Sequence, residues 1–431
     1  MDTGLDLAPV PLERRTARWY DTALLFAGAN VVSTTLVTGA ALGAVVELER
    51  AVWIVLLGSL VGTLPIAVLA RLGVRTGLPS MIVLRGPFGT AGAAGIAALL
   101  VVTNFAWIAL NNAIAAAALR PLFGGDPRLW SLGVGSAAVA LALTGPRVMA
   151  LFDRAAVPLM ALTGALLTWT LIQRLALGDA ASVAEIGRPL GLLAGLDLVI
   201  GYQVSWSLMF ADYTRYQKGE NGATGAVLLG LTCSSTWLML VGAGAARLGG
   251  GSDPTALVLG LGAPQVALLT IALSTITTNF VNLYLSALAL RTLAPRAPRA
   301  GSVVLIGAIG TGLGLLTDDV LGRYADFMGL IATALLPIVA IALVHFFAVR
   351  GLFAVRARHQ PRSAWGMPAI LAWIAGVLCY QTVRAVAPEW GATLPTLVVA
   401  AAIYWSSANV LSPPDAAASS AAAGPGGSTV P

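Results

Sequence analysis

Long apolar runs dominate this chain, each closed by a short stretch rich in polar residues, Gly or Pro. A helix needs about 20 residues to cross the hydrocarbon core of a bilayer. The runs therefore predict about twelve spans, at roughly 20–46, 51–70, 91–118, 130–145, 155–174, 192–213, 224–246, 264–290, 303–316, 320–347, 366–383 and 392–410. A transmembrane barrel would alternate polarity over segments of about ten residues, and that alternation is missing. The expected class is an all-α integral membrane protein. Residues 1–19 form a cytoplasmic lead-in, 20–410 a single transmembrane domain, and 411–431 a disordered cytoplasmic tail, being Pro-, Ala-, Ser- and Gly-rich without periodicity.

Three spans break the apolar pattern. The first reads FAGANVVSTTLVTG, the sixth IGYQVSWSLMF and the eighth ALSTITTNFVNLYLSAL. Polar groups at membrane depth must face protein or a water-filled cavity. Interhelical hydrogen bonding would account for any one of them, but three in one chain point to a central site. The first and sixth spans lie five apart and run in opposite directions. An inverted repeat, with a broken helix leading each half, would place them so. The two repeats would cover about 20–174 and 192–347, with extra helices at about 366–410.

Composition agrees with lipid as the solvent: 58% of residues are hydrophobic and 10% charged, against about 25% charged in soluble domains. The net charge of +6 is a topology signal and gives no nucleic-acid reading. With the N-terminus inside, Arg14, Arg15, Arg18, Arg296 and Arg299 fall on cytoplasmic loops, and fewer basic residues, Arg120 and Arg128 among them, fall outside. Both termini are then expected in the cytoplasm of a cell whose inner membrane holds the chain. No signal peptide is expected, because Asp2, Asp6 and Glu13 precede the arginines. Cys233 and Cys379 fall in spans and read as small core hydrophobes.

Chemistry narrows the site. Trp19, Trp53, Trp130, Trp169, Trp365, Trp390 and Trp405 sit near span ends, as an interfacial belt does. Trp107 and Trp206 sit mid-span, where a belt explains nothing. Asn104, Trp107 and Asn111 share one helical face at i, i+3 and i+7, and an indole between amides suits a flat, hydrogen-bonding ring. A packed Trp with two interhelical amides is the competing account. Gln203 and Trp206 form a second pair at i and i+3. Thr277 and Thr278, beside Asn279, could give hydroxyl oxygens to a cation, although Thr also back-bonds within its own helix. Acidic groups are few. Asp197 and Asp326 lie near outer span ends, and Asp212 with Arg215 reads as a local ion pair. His345 and His359 make no metal-ligand spacing, and no nucleotide-binding loop or hydrolase motif occurs. A channel would need a continuous polar pore and an enzyme a catalytic set, and neither is found.

These residues bring a family into view. The chain resembles the nucleobase:cation symporter-1 family, the purine–cytosine permeases and hydantoin transporters, through ALLFAGANVVSTTLVTGAALG, RTGLPSMIVLRGPFG, GYQVSWSLMFADYTRY and TTNFVNLYLSAL. FMGLIATALLPIVAIALVHFFAVRG fits less specifically. The resemblance implies a LeuT-type fold, ten core helices in a five-plus-five inverted repeat plus two more, working by alternating access. It also implies a substrate stacked on Trp107, with polar contacts from Asn104, Asn111 and Asn279. The family's second stacking aromatic falls on Gln203, a departure by which stacking moves to Trp206 or is lost on that side. A sodium site would fall on Ser274, Thr277 and Thr278 with the carbonyls of Ala29 and Val32. The expected activity is import of a cytosine-like pyrimidine with sodium, without an organic cofactor. Proton coupling, and hydroxymethylpyrimidine, allantoin, hydantoin or purine as substrate, stay open.

Overall fold

The computed structural model describes residues 7–144, 146–177, 190–250, 253–294, 296–316, 319–349 and 363–411. His359 and the expected tail beyond Leu411 lie outside them. The described residues are overwhelmingly helical, and the one strand-like contact among them is an isolated bridge between Ala17 and Gln217. The helices are α1 (Trp19–Asn30), α2 (Ser33–Gly43), α3 (Leu48–Thr76), α4 (Ser80–Val83), α5 (Arg85–Phe123), α6 (Pro127–Thr144), α7 (Pro146–Ala176), α8 (Leu192–Val204), α9 (Glu220–Ala245), α10 (Pro254–Gly260), α11 (Val266–Leu293), α12 (Arg299–Leu316), α13 (Tyr324–Leu343), α14 (Met367–Val386) and α15 (Thr393–Leu411). Among the described residues nine helices are long and apolar enough to cross a membrane, or ten if α1 and α2 count as one bent span. Helices α6 and α15, also predicted as spans, fall outside that set. Leu411, placed in the tail by the sequence, is still helical.

The first span is broken, as its composition requires. Gly28, Asn30 and the β-branched Val31, Val32, Thr34 and Thr35 are poor helix formers. Val32 is extended (φ −135°, ψ 163°), and the chain bends by 60° there. Side chains replace the lost backbone bonds: the Thr35 hydroxyl donates to the Asn30 carbonyl at 2.6 Å. Asn30 Nδ2 donates to Ser234 and Ser235 of α9 at 2.8 and 2.6 Å. The sixth span differs from expectation. It does not split in two; after Val204 it tightens into a 3₁₀ turn over Ser205–Met209. Ser205 favours this by donating its hydroxyl to the Tyr202 carbonyl, 2.6 Å away.

Two groups of helices form. In one, α9 packs against α1, α2 and α3, and α3 against α8. Glycines permit the approach: a Cβ on Gly39 would meet the Met239 backbone, and one on Gly242 the Leu36 carbonyl. A strap from the N-terminal segment crosses one end of this group. The Val10 N–H donates to the Gly77 carbonyl (2.9 Å) and the Ala17 N–H to the Tyr216 carbonyl (3.1 Å). The Arg15 side chain donates to the carbonyls of Val10 and Val74. In the other group α5 packs against α6, α11 and α12. Helices α14 and α15 lean on α13, and the half-buried Asp197 of α8 accepts the N–H groups of Ala392 and Thr393 at 2.6 and 3.0 Å, capping α15. Past α13, His345 Nδ1 lies 2.6 Å from the Tyr404 hydroxyl. Trp19, Trp53, Trp169, Trp365, Trp390 and Trp405 are exposed. Cys233 is exposed too, unlike the core residue expected, and Cys379 is partly so.

Candidate functional site

A cavity of about 790 Å³ lies between the two groups of helices, at the break in the first span. Its lining runs from Thr34, past the break, down to Leu24 of α1, Arg154 of α7 and Tyr213 beyond α8. It therefore extends toward the end of the bundle where the chain begins. On α8 and its 3₁₀ extension the lining residues are Tyr202, Ser205, Trp206 and Met209, an i, i+3, i+4, i+7 face. On α11 they are Ser274, Thr277, Thr278, Val281 and Asn282, again one face.

Aromatic rings form the walls. Trp107 of α5 makes edge-to-face contacts with Phe327 (centroids 5.0 Å apart) and with Tyr202 (6.3 Å). Trp206 meets Phe26 edge-on at 6.4 Å, and Phe26 meets Tyr213 at 5.6 Å. The Tyr202 hydroxyl donates to Asn30 Oδ1 at 3.0 Å and sits 2.6 Å from the Thr35 hydroxyl. This aromatic wall is thus pinned to the break itself.

The polar groups divide in two. Asn282 lines the cavity, and its buried Nδ2 has no hydrogen-bond partner among the described residues. Ser274 Oγ is likewise buried without a partner. The Thr277 and Thr278 hydroxyls both donate to the Ser274 carbonyl, at 2.9 and 2.8 Å. A hydroxyl that donates keeps its lone pairs, so both oxygens can still face a cation. At the break the Val32 carbonyl accepts the Thr35 N–H (3.2 Å), while no backbone bond reaches the Ala29 carbonyl across it. Ala29 and Val32 line the same cavity. Hydroxyl and carbonyl oxygens with no carboxylate suit a hard monovalent cation, and the unpartnered Ser274 hydroxyl gives the set an oxygen that lacks other work.

Other expected site residues are held elsewhere. Asn104 reaches the cavity, but its Nδ2 donates to Ser286 Oγ (2.7 Å) and the Asn282 carbonyl (3.3 Å). Asn111 and Asn279 are fully buried outside the lining. They form a chain in which Asn111 Nδ2 donates to Asn279 Oδ1 (3.0 Å), Asn279 Nδ2 to Asn112 Oδ1 (2.8 Å) and Asn112 Nδ2 to Thr311 (3.1 Å). Gln203 is also fully buried, facing Gly62 of α3, with neither amide atom partnered among the described residues. Tyr202 and Asn282, which the sequence did not single out, take the cavity positions. The signal was the face: Tyr202 shares Trp206's, at i and i+4, together with Ser205 and Met209.

The acidic residues have structural partners. Asp197 caps α15, and Asp326 pairs with Arg384 at 2.6 Å. Asp212, past the end of the sixth span, accepts the Ser80 N–H at 3.3 Å and the Ser80 hydroxyl. Burial pushes its carboxyl above the usual carboxylate range, and Ser80 and Arg215 oppose the shift. Among the described residues no three His, Cys, Asp or Glu side chains gather to hold a metal.

Known proteins resemble the chain throughout this region. A family model described as a permease for cytosine/purines, uracil, thiamine, allantoin matches residues 9–405. The cytosine permease of Escherichia coli (strain K12) is 25% identical over 312 residues, covering 72% of this chain and 74% of its own. The structure of Mhp1, a nucleobase-cation-symport-1 family transporter, in a closed conformation with bromovinylhydantoin bound, superposes with a TM-score of 0.77 at 17% identity. It covers 94% of this chain and 95% of its own. A Na⁺-coupled sialic acid symporter in a substrate-bound outward-open state follows at TM-score 0.66 and 12% identity, covering 93% and 91%. At these identities the two structures bear on fold alone.

Proposed function

The chain belongs to the family of permeases for cytosine/purines, uracil, thiamine and allantoin, and from that premise we propose that it imports a cytosine-like pyrimidine together with sodium, by alternating access. It is a multi-pass membrane transporter and not an enzyme. The observation that carries the finer reading is the cavity at the break in the first span. There the rings of Trp107, Tyr202 and Trp206 share one cavity lining with Asn282, whose Nδ2 has no partner among the described residues. Rings suit a flat heterocycle, and an amide N–H suits a carbonyl or imine nitrogen at its edge. Ser274, Thr277, Thr278, Ala29 and Val32 would hold the sodium, with Ser274 contributing its hydroxyl, since its carbonyl already accepts two bonds. The ion would bridge α11 and the broken span, so ion and substrate would bind cooperatively, typically by about 1–3 kcal/mol. Twelve spans in a cell inner membrane, with both termini cytoplasmic, complete the proposal; the cavity then faces inward.

The test is equilibrium binding of labelled cytosine to purified protein, with hydantoin, allantoin, uracil and a purine as competitors. Stacking is worth about 1–3 kcal/mol per base, so Trp107→Ala should weaken binding about 5- to 150-fold in a folded protein. Unchanged affinity in that variant would make Trp107 a packing residue. Failure of every heterocycle to bind would overturn the substrate reading.

A further inference from the structure

Arg154 is the one charged side chain lining the cavity among the described residues, and no Asp or Glu accompanies it there. Its height in the bundle follows from neighbouring contacts. The hydroxyls of Thr163 on α7 and Thr270 on α11 meet, and farther along the Arg174 guanidinium donates to the Gly260 carbonyl at 3.2 Å, just ahead of α11. The two helices therefore run antiparallel. Nine residues back from Thr163 lies Arg154; nine on from Thr270 lies Asn279, next to Thr278. With about 1.5 Å of rise per residue, Arg154 and the Thr277–Thr278 pair stand at nearly the same level. The broken span is close as well: a Cβ built at Gly28 would lie 3.1 Å from Val157 Cγ1, one turn along α7 from Arg154. Ala29, next after Gly28, is part of the candidate cation cluster.

We propose that the Arg154 guanidinium is a tethered competitor of the coupling cation, so that it and sodium exclude one another from the oxygens of Ser274, Thr277, Thr278, Ala29 and Val32. This rests on the cation site argued above. The physics is simple. The cluster is neutral, so nothing in it offsets a second positive charge. Arginine stays ionised under all ordinary conditions, and its weak hydration lets it enter a partly desolvated cavity. Arg154 is exposed, so its charge is partly screened, and like charges lining one cavity at the protein surface repel enough to weaken binding several-fold. The repulsion between Arg154 and a bound sodium weakens the hold of the cluster on the ion and favours its release. Afterwards the guanidinium can fill the vacated oxygens.

The experiment is thermal unfolding of the purified full-length protein against sodium chloride, with choline chloride holding ionic strength constant and no substrate added. A ligand that binds only the native state raises the melting temperature by mass action. Arg154→Gln should reach half-maximal stabilisation at several-fold lower sodium than wild type, Arg154→Ala should behave alike, and Arg154→Lys should stay near wild type. A wild type blind to sodium, with a neutral variant that responds, also supports competition. Thr278→Val separates the two layers of the argument. If it shifts the sodium midpoint while Arg154→Gln and Arg154→Ala do not, the site stands and the competition is overturned. If no substitution shifts any sodium response, the cation site itself falls and the competition with it.

Discussion

The group formed by α1, α2, α3, α8 and α9 and the group formed by α5, α6, α11 and α12 are held by different means. The first relies on backbone proximity. Gly39 and Gly242 bring α2 and α9 together, and the polar residues of the broken span serve the break, with Asn30 alone also tying it to Ser234 and Ser235 of α9. The second relies on side-chain amides, with Asn111, Asn279 and Asn112 bonded in series through to Thr311. Polar residues in the two groups therefore mean different things. In an unbroken helix every backbone group is already satisfied, so a buried amide must find a side-chain partner, and a neighbouring helix supplies it. At a broken helix the backbone groups are the ones lacking partners, and local side chains or ligands complete them. A partnered amide in α5 or α11 is thus weak evidence for a binding site, whereas an amide left unpartnered in the cavity wall, as in Asn282, or a hydroxyl beside the break is stronger.

Substitutions can break that contrast. The largest effect should come from Gly242→Leu, whose side chain has no route past the Leu36 carbonyl. Loss of monodisperse protein on size-exclusion chromatography is the expected result, and a well-behaved variant would show that α2 and α9 can separate. Next, Asn279→Ala removes two interhelical bonds, for a loss of about 1–3 kcal/mol. Thermal unfolding should register it, while substrate affinity of the folded protein stays the same; an affinity loss without destabilisation would return Asn279 to the site. The smallest effect belongs to Asp212→Asn. Burial raises this carboxyl's folded pKa, so its stabilising contribution is full at low pH and falls as pH rises through the folded value. The asparagine variant should show a melting temperature that changes less as pH rises from the ordinary carboxylate range through the raised folded value, with transport retained.

Much of the fold was legible because lipid leaves few options. Each predicted span coincides with a helix, and the break in the first span was readable from Gly28, Asn30 and the β-branched residues after it. The form of the sixth span was not readable, because Ser205 and its neighbours suit a 3₁₀ turn as well as a break. Within the site, Trp107, Trp206, Ser274, Thr277 and Thr278 line the cavity, whereas Gln203, Asn111 and Asn279 do not. Gln203 lies one position, about 100° of helix, from Tyr202, and that rotation turns it to α3. On α11 Asn279 follows the cavity-lining Thr278 directly, and the same rotation turns it to Asn111 of α5. Facing depends on which neighbour each helix packs against, and one sequence alone does not state that.

The cap that Asp197 places on α15 bears on how much of the chain makes a minimal folding unit. A carrier of ten core helices suggests that the last two could be trimmed away. Here α8 holds a half-buried carboxylate whose hydrogen bonds come from the backbone at the start of α15. About three turns on, His345 meets Tyr404 of the same helix. The terminal pair is stitched to the core at two levels. A chain ending before Met367 would leave Asp197 stranded beside the very helix whose 3₁₀ extension walls the cavity, so the C-terminal helices are better regarded as a splint for the carrier than as an appendix to it.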